Sequence, residues 1–251
     1  MDLKSKILIA GESWTVHSIH QKGFDSFTTT EYAEGVKWLK DALDSGGYDI
    51  EYQPAHVAAT DFPSTLEELN IYDCVVLSDI GTNTLLLHPE TFGSSRALPN
   101  RLEVIADYVR HGGGLVMIGG YLTFQGIDAK ARYRGTPVED VLPVMIDSLD
   151  DRSEQPQGIK PVVVDVNHPI VRGIETEWPI LLGYNRVTPK DDSSLIVTVG
   201  HDPLVVASSI GKGRSVAFTS DCGPHWAPPA FVEWIGYAKL WQQIIGWASG
   251  N

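Results

Sequence analysis

The sequence has few of the features that place a protein in an oxidising compartment or on nucleic acid. Its 251 residues include only two cysteines, Cys74 and Cys222, too few for a disulfide framework and without the paired spacing of a zinc site. Lysine and arginine number 19 against 32 acidic residues, so the formal net charge of -13 repels phosphate groups and anionic lipid. We therefore expect a protein of a reducing compartment without a nucleic-acid partner.

Long hydrophobic runs are absent as well. No apolar stretch approaches the roughly 20 residues that a membrane-spanning helix needs, and the apolar run within Met1 to Ala10 is much shorter than a signal-peptide core. We expect a cytoplasmic protein without a membrane partner. Hydrophobic residues make up 43% of the chain, enough for a large core, and no Pro-, Gly- or Ser-rich linker divides it. The sequence therefore predicts a single domain over residues 1–251.

Short apolar runs alternate with segments of helical periodicity in the first half of the chain. Predicted strands lie at Lys6–Gly11, Tyr48–Gln53, Cys74–Ile80 and Leu115–Ile118, and predicted helices at Glu31–Asp44 and Arg101–Arg110. The helix over residues 31–44 follows a threonine run that could cap it and ends before two glycines. This alternation is typical of βαβ units around a mostly parallel sheet.

The pattern changes to short β-type segments from about residue 136. We predict strands at Val162–Val166, Leu195–Val199, Leu204–Ser208 and Ser215–Thr219, the last two joined by a glycine-containing hairpin turn. An amphipathic helix, Phe231–Trp247, follows them. The second half therefore adds antiparallel strands to the sheet of the first half, and the predicted class is α/β.

Polar or glycine-rich residues follow several predicted strands directly. Ligands of open α/β sheets bind beyond the carboxyl ends of the strands, so these positions are the first candidates for a site. They are Glu12, Ser13, Trp14, Ser78, Asp79, Gly119, Gly120, Tyr121, Ser220 and Asp221. A strand followed by Gly-Gly, one residue and a helix-prone segment has the layout of a nucleophile elbow, here with Tyr121 at its centre.

The run Gly112–Gly126, GGGLVMIGGYLTFQG, resembles a segment of class I glutamine amidotransferase-like proteins. Together with Asn167–Ile174, Gly183–Arg186 and Gly211–Trp226, it is similar to a bacterial family of glutamine amidotransferase-like cytoplasmic proteins. Related segments occur in trehalose-utilisation-protein-like domains and in the trimerisation domain of some β-galactosidases. The resemblance extends over roughly residues 6–247. It implies a flavodoxin-like, three-layer α/β/α fold with a mostly parallel central sheet and antiparallel additions in the second half.

Tyr121 occupies the position at which glutaminases of this superfamily carry a nucleophilic cysteine. Their thiolate attacks the amide carbon, whereas a phenol with an unperturbed pKa near 10 is a poor nucleophile at neutral pH. We therefore expect no ordinary glutamine hydrolysis. The second catalytic position of the superfamily, a histidine after a late strand, corresponds best to His225.

The residues around the predicted elbow each have a functional and a structural interpretation. Tyr121 could act as a general acid or hydrogen-bond donor, or it could simply pack. Gly119 and Gly120 could expose N–H groups to an anion, or only satisfy the steric demands of a turn. Gln125 and Thr123 could reach the pocket, or cap the segment that follows.

The late loop and the first strand end supply the remaining candidates. Asp221 and His225, with Glu12 nearby, could perform acid-base chemistry. His225 could instead pair with Cys222, and Asp221 and His225 could bind a divalent metal with Glu12 or Asp79, although we predict neither a metal nor a cofactor.

Aromatic and histidine side chains complete the set of candidates. Trp14 and Trp226 could form a platform for a sugar ring. His17 and His20, three residues apart, could share a helix face and line the same cleft, or they could lie on the surface.

Two hypotheses about function remain open. The first is an enzyme that transforms a small carbohydrate-like or amide ligand in the crevice beyond the strand ends. The second is a non-catalytic module for oligomerisation or ligand sensing, as the resemblance to the β-galactosidase domain implies. The tryptophan-rich final helix and this resemblance both predict a homo-oligomer.

Overall fold

A computed structural model describes residues 4–250 of the chain. The described part of the chain excludes residues 1–3 and 251. These residues belong to the predicted domain of 1–251, and the first three also belong to the segment compared with a signal peptide. The strands are β1 (Lys6–Gly11), β2 (Ser13–Lys22), β3 (Asp25–Glu34), β4 (Asp49–Gln53), β5 (Cys74–Ser78), β6 (Gly114–Ile118), β7 (Val144–Ile146), β8 (Arg152–Ile159), β9 (Pro161–Val163), β10 (Leu181–Asn185), β11 (Val187–Pro189), β12 (Ser194–Val199), β13 (Asp202–Ile210) and β14 (Gly213–Phe218). The helices are α1 (Lys37–Ser45), α2 (Ala55–Asp61), α3 (Leu66–Leu69), α4 (Thr82–Leu86), α5 (Pro89–Ser94), α6 (Arg101–His111), α7 (Pro137–Asp140), α8 (Pro229–Val232) and α9 (Tyr237–Ala248), with 3-10 turns at Ile127–Ala129 and Pro169–Val171.

Eight strands form the central sheet in the order β4-β1-β5-β6-β14-β13-β12-β9. The five from β4 to β14 are parallel, and β13, β12 and β9 continue the sheet with antiparallel pairings. The parallel part follows the strand order of flavodoxin-like folds. The predicted α/β class, with a mostly parallel sheet and antiparallel additions in the second half, is confirmed.

Hydrophobic clusters cover both faces of this sheet. Ile7 and Ile9 of β1 pack on one face in a cluster that includes Trp241 of α9. Leu8 packs on the opposite face in a cluster that includes Ile105 of α6. Because both faces are covered, the parallel strands are apolar at consecutive positions, which made them recognisable in the sequence.

Most predicted elements differ from the observed ones by three residues or fewer at their ends, but two helices were predicted wrongly. The helix expected over Glu31–Asp44 begins only at Lys37, because residues 25–34 form β3 and pair with β2. The helix expected over Phe231–Trp247 is divided into α8 and α9, and the ring of Trp234 packs against Gly236 at the break.

Strands β2 and β3 form a two-stranded ribbon, which we call the arm (residues 13–34). Ten cross-strand pairs join them, from Ser13 with Glu34 at the base to Lys22 with Asp25 at the tip. Gly23 in the tip turn has φ 62°, a left-handed conformation that glycine adopts without steric cost. The threonines expected to cap a helix lie in this ladder instead, because their β-branched side chains suit a strand.

Candidate functional site

The candidate site lies where the strand order reverses. In the sheet β1 lies between β4 and β5, so the connections that leave β1 and β5 diverge and open a crevice beyond their carboxyl ends. Glu12 follows β1 and Asp79 follows β5, both with left-handed backbones, φ 48° and 44°. Such conformations are strained for non-glycine residues and concentrate at functional sites.

A cleft of about 540 Å³ occupies this position. Five polar side chains line it: Glu12, Asp79, Tyr121, Asp221 and His225. Its apolar lining comes from Trp14, Leu122, Ile127 and Pro224. The cleft lining therefore contains half of the ten residues that the strand-end argument selected from separate parts of the sequence, together with His225.

Glu12 lies at the floor of the cleft and is only 3% exposed. Ser78 Oγ donates a hydrogen bond to its Oε2 at 2.5 Å. Burial, followed by the charges of Asp221 and Asp79, raises the pKa of Glu12 well above its ordinary value. These neighbours therefore favour the protonated form of the carboxyl group at the cleft floor.

Asp79 lies above this floor and accepts a hydrogen bond from the N–H of Leu122 at 2.7 Å. Burial is the main cause that raises its pKa to about 6, and the charge of Asp221 adds to it. The N–H groups of Leu122 and Tyr121 and the charge of His225 act in the opposite direction. Asp79 therefore exchanges protons close to neutral pH.

His225 projects into the cleft from the loop after β14. Its Nδ1 lies 3.7 Å from Oδ2 of the buried Asp221, and the imidazole is about half exposed. The nearby carboxylate of Asp221 raises the pKa of His225 above its ordinary value, against the effect of burial. The carboxylate thus orients the imidazole and stabilises its protonated form.

Tyr121 is held by protein contacts on several sides. Its hydroxyl donates to Glu154 Oε1 at 3.0 Å, and the guanidinium of Arg152 lies 4.5 Å from its ring centre. The ring also meets that of His225 edge-on at 4.6 Å. Burial, then the hydrogen bond to Glu154, raises the pKa of the phenol. A nucleophilic phenolate is therefore disfavoured here.

The N–H groups of the two glycines do not face the cleft as free donors. Gly119 donates to the carbonyl of Phe218 at 2.7 Å, and Gly120 donates to Oδ1 of Asn185 at 2.9 Å. Residues 121–126 form turns rather than the helix that a nucleophile elbow requires. The anion nest suggested by the sequence is thus occupied by the protein itself.

Besides the two glycines, three more of the candidate ligand-binding residues lie outside the cleft lining. Ser13 Oγ accepts from the N–H of Ala55, the first residue of α2, at 2.8 Å. Gln125 is buried, and its side chain donates to the carbonyl of Ser148 at 3.3 Å. Trp226 is 1% exposed, so it is no open platform, and its Nε1 donates to Glu154 at 3.0 Å.

The two histidines after the first strand lie on the arm. His17 Nδ1 is 3.0 Å from the hydroxyl of Thr30, and His20 Nε2 is 3.2 Å from that of Thr29. Because side chains alternate along a strand, residues three apart point to opposite faces. The helix face that they were expected to share does not form, and neither lines the cleft.

Cys222 is fully buried beneath the cleft. Its Sγ lies 3.8 Å from Ser78 Oγ, and burial, then the charges of Glu12 and Asp221, raises its pKa well above the ordinary value. These neighbours disfavour a thiolate, so a reactive Cys222–His225 pair is not supported. Ligand atoms of Glu12, Asp221 and Cys222 lie within 4.8 Å of one another, but the raised pKa values of Glu12 and Cys222 disfavour the ionised forms that bind a metal.

Glu154 and Arg152 were not identified from the sequence. Both lie on β8, which pairs with β10, and Glu154 connects Tyr121 to Trp226 through its two carboxylate oxygens. The segment around them has no motif that distinguishes it from other acidic stretches. Only the pairing of β8 with β10 brings them beside the cleft.

The fold and the site define an open-sheet α/β protein of flavodoxin-like arrangement with an acidic cleft at the switch point of its sheet. Residues 6–250 match the model of the family described as "Putative glutamine amidotransferase", and the chain belongs to that family. A search of curated proteins finds no match to the chain.

Solved structures similar to the chain agree with this assignment. Cytoplasmic Protein STM3548 from Salmonella typhimurium is 47% identical, with a TM-score of 0.94 over 98% of this chain and 99% of that chain. Cytoplasmic Protein STM1381 from Salmonella typhimurium LT2 is 48% identical, with a TM-score of 0.94 over 97% and 99%. A thua-like protein from Parabacteroides merdae, 15% identical, shares the fold with a TM-score of 0.61 over 98% and 90%. Among residues 4–250, none of the helices has the length and apolar character to cross a membrane.

Proposed function

We propose that the cleft binds a small, uncharged, carbohydrate-like molecule and that Asp79 and His225 carry out acid-base chemistry on it. One observation supports this proposal above all. The two side chains line the same cleft, the pKa of Asp79 is raised to about 6, and the pKa of His225 is raised by its carboxylate partner. Groups that exchange protons near the working pH are the effective general acids and bases.

The charge of the cleft favours an uncharged ligand. Glu12, Asp79 and Asp221 line it, and His225 is the only basic side chain among its lining residues. A phosphate or carboxylate would be repelled by this arrangement, whereas hydroxyl groups can donate to carboxylates. Trp14 supplies an aromatic wall of the kind that packs against a sugar ring. The volume of about 540 Å³ lies within the ordinary range of small-molecule sites.

The chemistry that these groups support is proton transfer rather than acyl transfer. Ionised Asp79 can accept a proton from the ligand while protonated His225 donates one. When Asp79 releases its proton and His225 regains one, both side chains return to their starting charge. Asp221 orients the imidazole, and the carboxyl group of Glu12 offers a further hydrogen-bonding group. Isomerisation, or hydrolysis by an activated water, fits this set of residues.

A ligand-sensing or assembly role without catalysis is the second candidate. The phenol of Tyr121 and the thiol of Cys222 both have raised pKa values, so neither supplies the nucleophile that glutaminases use. An amide ligand could occupy the same cleft without turnover. For either role we propose a cytoplasmic location, which the names of the two Salmonella relatives support.

Thermal-shift measurements test the ligand class. We expect neutral sugars, polyols or carboxamides to raise the melting temperature, and sugar phosphates to have little effect. Asp79→Asn and His225→Gln should weaken the shift, whereas the control variants Asp191→Asn and His201→Gln, at exposed positions outside the cleft, should retain it. Full shifts in both cleft variants, or a stronger response to phosphates, would contradict the proposal.

Turnover separates the two roles. Each compound that binds is incubated with the protein and followed by proton NMR in deuterated water, where isomerisation exchanges a carbon-bound proton and hydrolysis changes the product spectrum. Conversion that Asp79→Asn abolishes supports an enzyme. Binding without conversion or exchange would support the sensing role and remove the catalytic part of the proposal.

A further inference from the structure

The arm has the exposed apolar surface of an element that packs against another molecule. Beyond its base, nearly every residue of β2 and β3 is exposed, and the ring of Tyr32, near the base, meets that of His56 of α2. Phe24 at the tip is fully exposed, Ile19 is 77% exposed and Phe27 is 50% exposed. Isolated two-stranded ribbons are only marginally stable in water, so this one requires a partner surface.

Apolar side chains occur on both faces of the arm. Directly opposed residues share a face, so the pair Val16–Glu31 and the pair His20–Phe27 lie on one side. The pairs Thr15–Tyr32 and Ile19–Thr28 lie on the other side. A strand that simply lies on a protein surface needs apolar residues on one face only. Contacts on two sides are what an arm inserted into an assembly requires.

The charge distribution indicates what the arm contacts. Residues 15–30 carry one lysine, Lys22, and one acidic residue, Asp25, so this part has no net charge, whereas the whole chain carries -13. Two copies of so acidic a chain repel each other over most of their surfaces. The outer arm is a long, neutral and partly apolar surface through which they can approach.

The size of the arm also fits exchange between two copies. Each strand has 10 residues, so the ribbon extends by roughly 33 Å at the usual rise of a strand. A domain of this size has a radius of gyration of roughly 18 Å, so the ribbon can extend over much of one side of a neighbouring copy. A stable interface involves roughly 20–30 residues a side, and two exchanged arms with the surfaces that receive them reach that size. Closed symmetric pairs are also the commonest assemblies of soluble proteins.

We propose that the arm docks on a second copy of this chain and that its outer part, residues 15–30, forms the main contact of a homo-oligomer. This differs from the expectation that the final helix would form the contact, because Trp241 is buried in the core of its own chain and Trp234 and Trp247 pack against the same cluster. The inference does not depend on the acid-base chemistry of the cleft.

Light scattering on the purified full chain tests this proposal. We expect the wild type at micromolar concentration to have at least twice the mass of one chain, and the double variant Ile19→Asp/Phe24→Asp to have the mass of one chain. The matched control, Phe92→Asp/Ile235→Asp, changes two exposed apolar residues outside the arm and should retain the wild-type mass. A monomeric wild type, an arm variant of unchanged mass, or equal dissociation of the control would overturn the proposal.

Trypsin digestion gives a second readout that requires no folded variant. Lys22, at the tip, is the only lysine or arginine between Lys6 and Lys37. In the assembled wild type we expect cleavage after Lys22 to be at least about tenfold slower than in a sample diluted until light scattering shows single chains. Equal cleavage in both samples would show that the arm is uncovered, and would overturn the proposal even if the chain is oligomeric through another surface.

Discussion

The side-chain amide of Asn185 is bonded to both backbone polar atoms of Gly120. Its Oδ1 accepts from the N–H of Gly120 at 2.9 Å, and its Nδ2 donates to the carbonyl of Gly120 at 3.1 Å. The same Nδ2 donates to Asp151 at 2.8 Å. Asn185 therefore fixes the turn after β6 and occupies the backbone donor that an oxyanion hole would use.

We expect Asn185→Ala to lower the free energy of unfolding by about 3 kcal/mol, because it leaves buried groups of Gly120 and Asp151 without a partner. Urea denaturation followed by circular dichroism measures this loss. Asn83→Ala, at an exposed position, serves as the control and should change stability by less than about 0.5 kcal/mol. Equal stability of the two variants would show that the amide does not hold the turn.

Both thiols should be unreactive in the folded protein. Cys74 and Cys222 are buried, and burial raises the pKa of each. A chromogenic disulfide reagent at neutral pH should therefore label neither thiol until denaturant is added, and then label both. Glutamine incubated with the protein should remain intact. Rapid labelling of Cys222, or glutamine hydrolysis that Cys222→Ala abolishes, would restore the cysteine mechanism.

The pKa of Asp79 has a consequence for the pH dependence of stability. Its folded-state pKa, about 6, lies above the unfolded value. At pH values between these two pKa values the folded protein binds more protons than the unfolded chain, so its stability falls as pH rises through this range. Asp79→Asn cannot ionise and should become more stable relative to the wild type between about pH 4 and pH 7. Urea midpoints at several pH values measure the difference, with Asp191→Asn as control. A constant difference across the range would contradict the raised pKa.

Metal chelation should leave the protein unchanged. The raised pKa values of Glu12 and Cys222 disfavour the ionised forms that bind a metal, so the group that they form with Asp221 is a poor ligand set. We expect EDTA to leave the melting temperature of the wild type unchanged. Added zinc should raise the melting temperature of the wild type by no more than that of the Glu12→Gln variant. Stabilisation by zinc that Glu12→Gln removes would identify a metal site.

The parallel core was predictable because its physical requirement is local. Strands buried on both faces must be apolar at consecutive positions, as Cys74–Ser78 and Gly114–Ile118 are, and their carboxyl ends in such a sheet mark the ligand crevice. Glu12 and Asp79 were therefore identified before their contacts were known. Their altered pKa values depend on burial and on Asp221, which no sequence pattern specifies.

The arm was missed because two periodicities overlap in its second strand. Tyr32, Val36, Leu39 and Leu43 have helical spacing, yet Tyr32 lies in β3 and the helix begins at Lys37. The useful signal was the glycine at position 23 between two β-branched, alternating segments, which is typical of a hairpin. Asn185 lay within the recognised GYNR segment, but its role depends on β10 passing beside Gly120, a long-range contact.

The passage from sheet to arm consists of one residue. Glu12 stands alone between β1 and β2. Its carbonyl accepts a hydrogen bond from the N–H of Gly35, which follows the last residue of the arm at the base, and its carboxyl group forms the cleft floor. A change in the length or direction of the arm at its base would therefore displace this acid, so the proposed subunit contact and the proposed ligand site share one residue of the backbone.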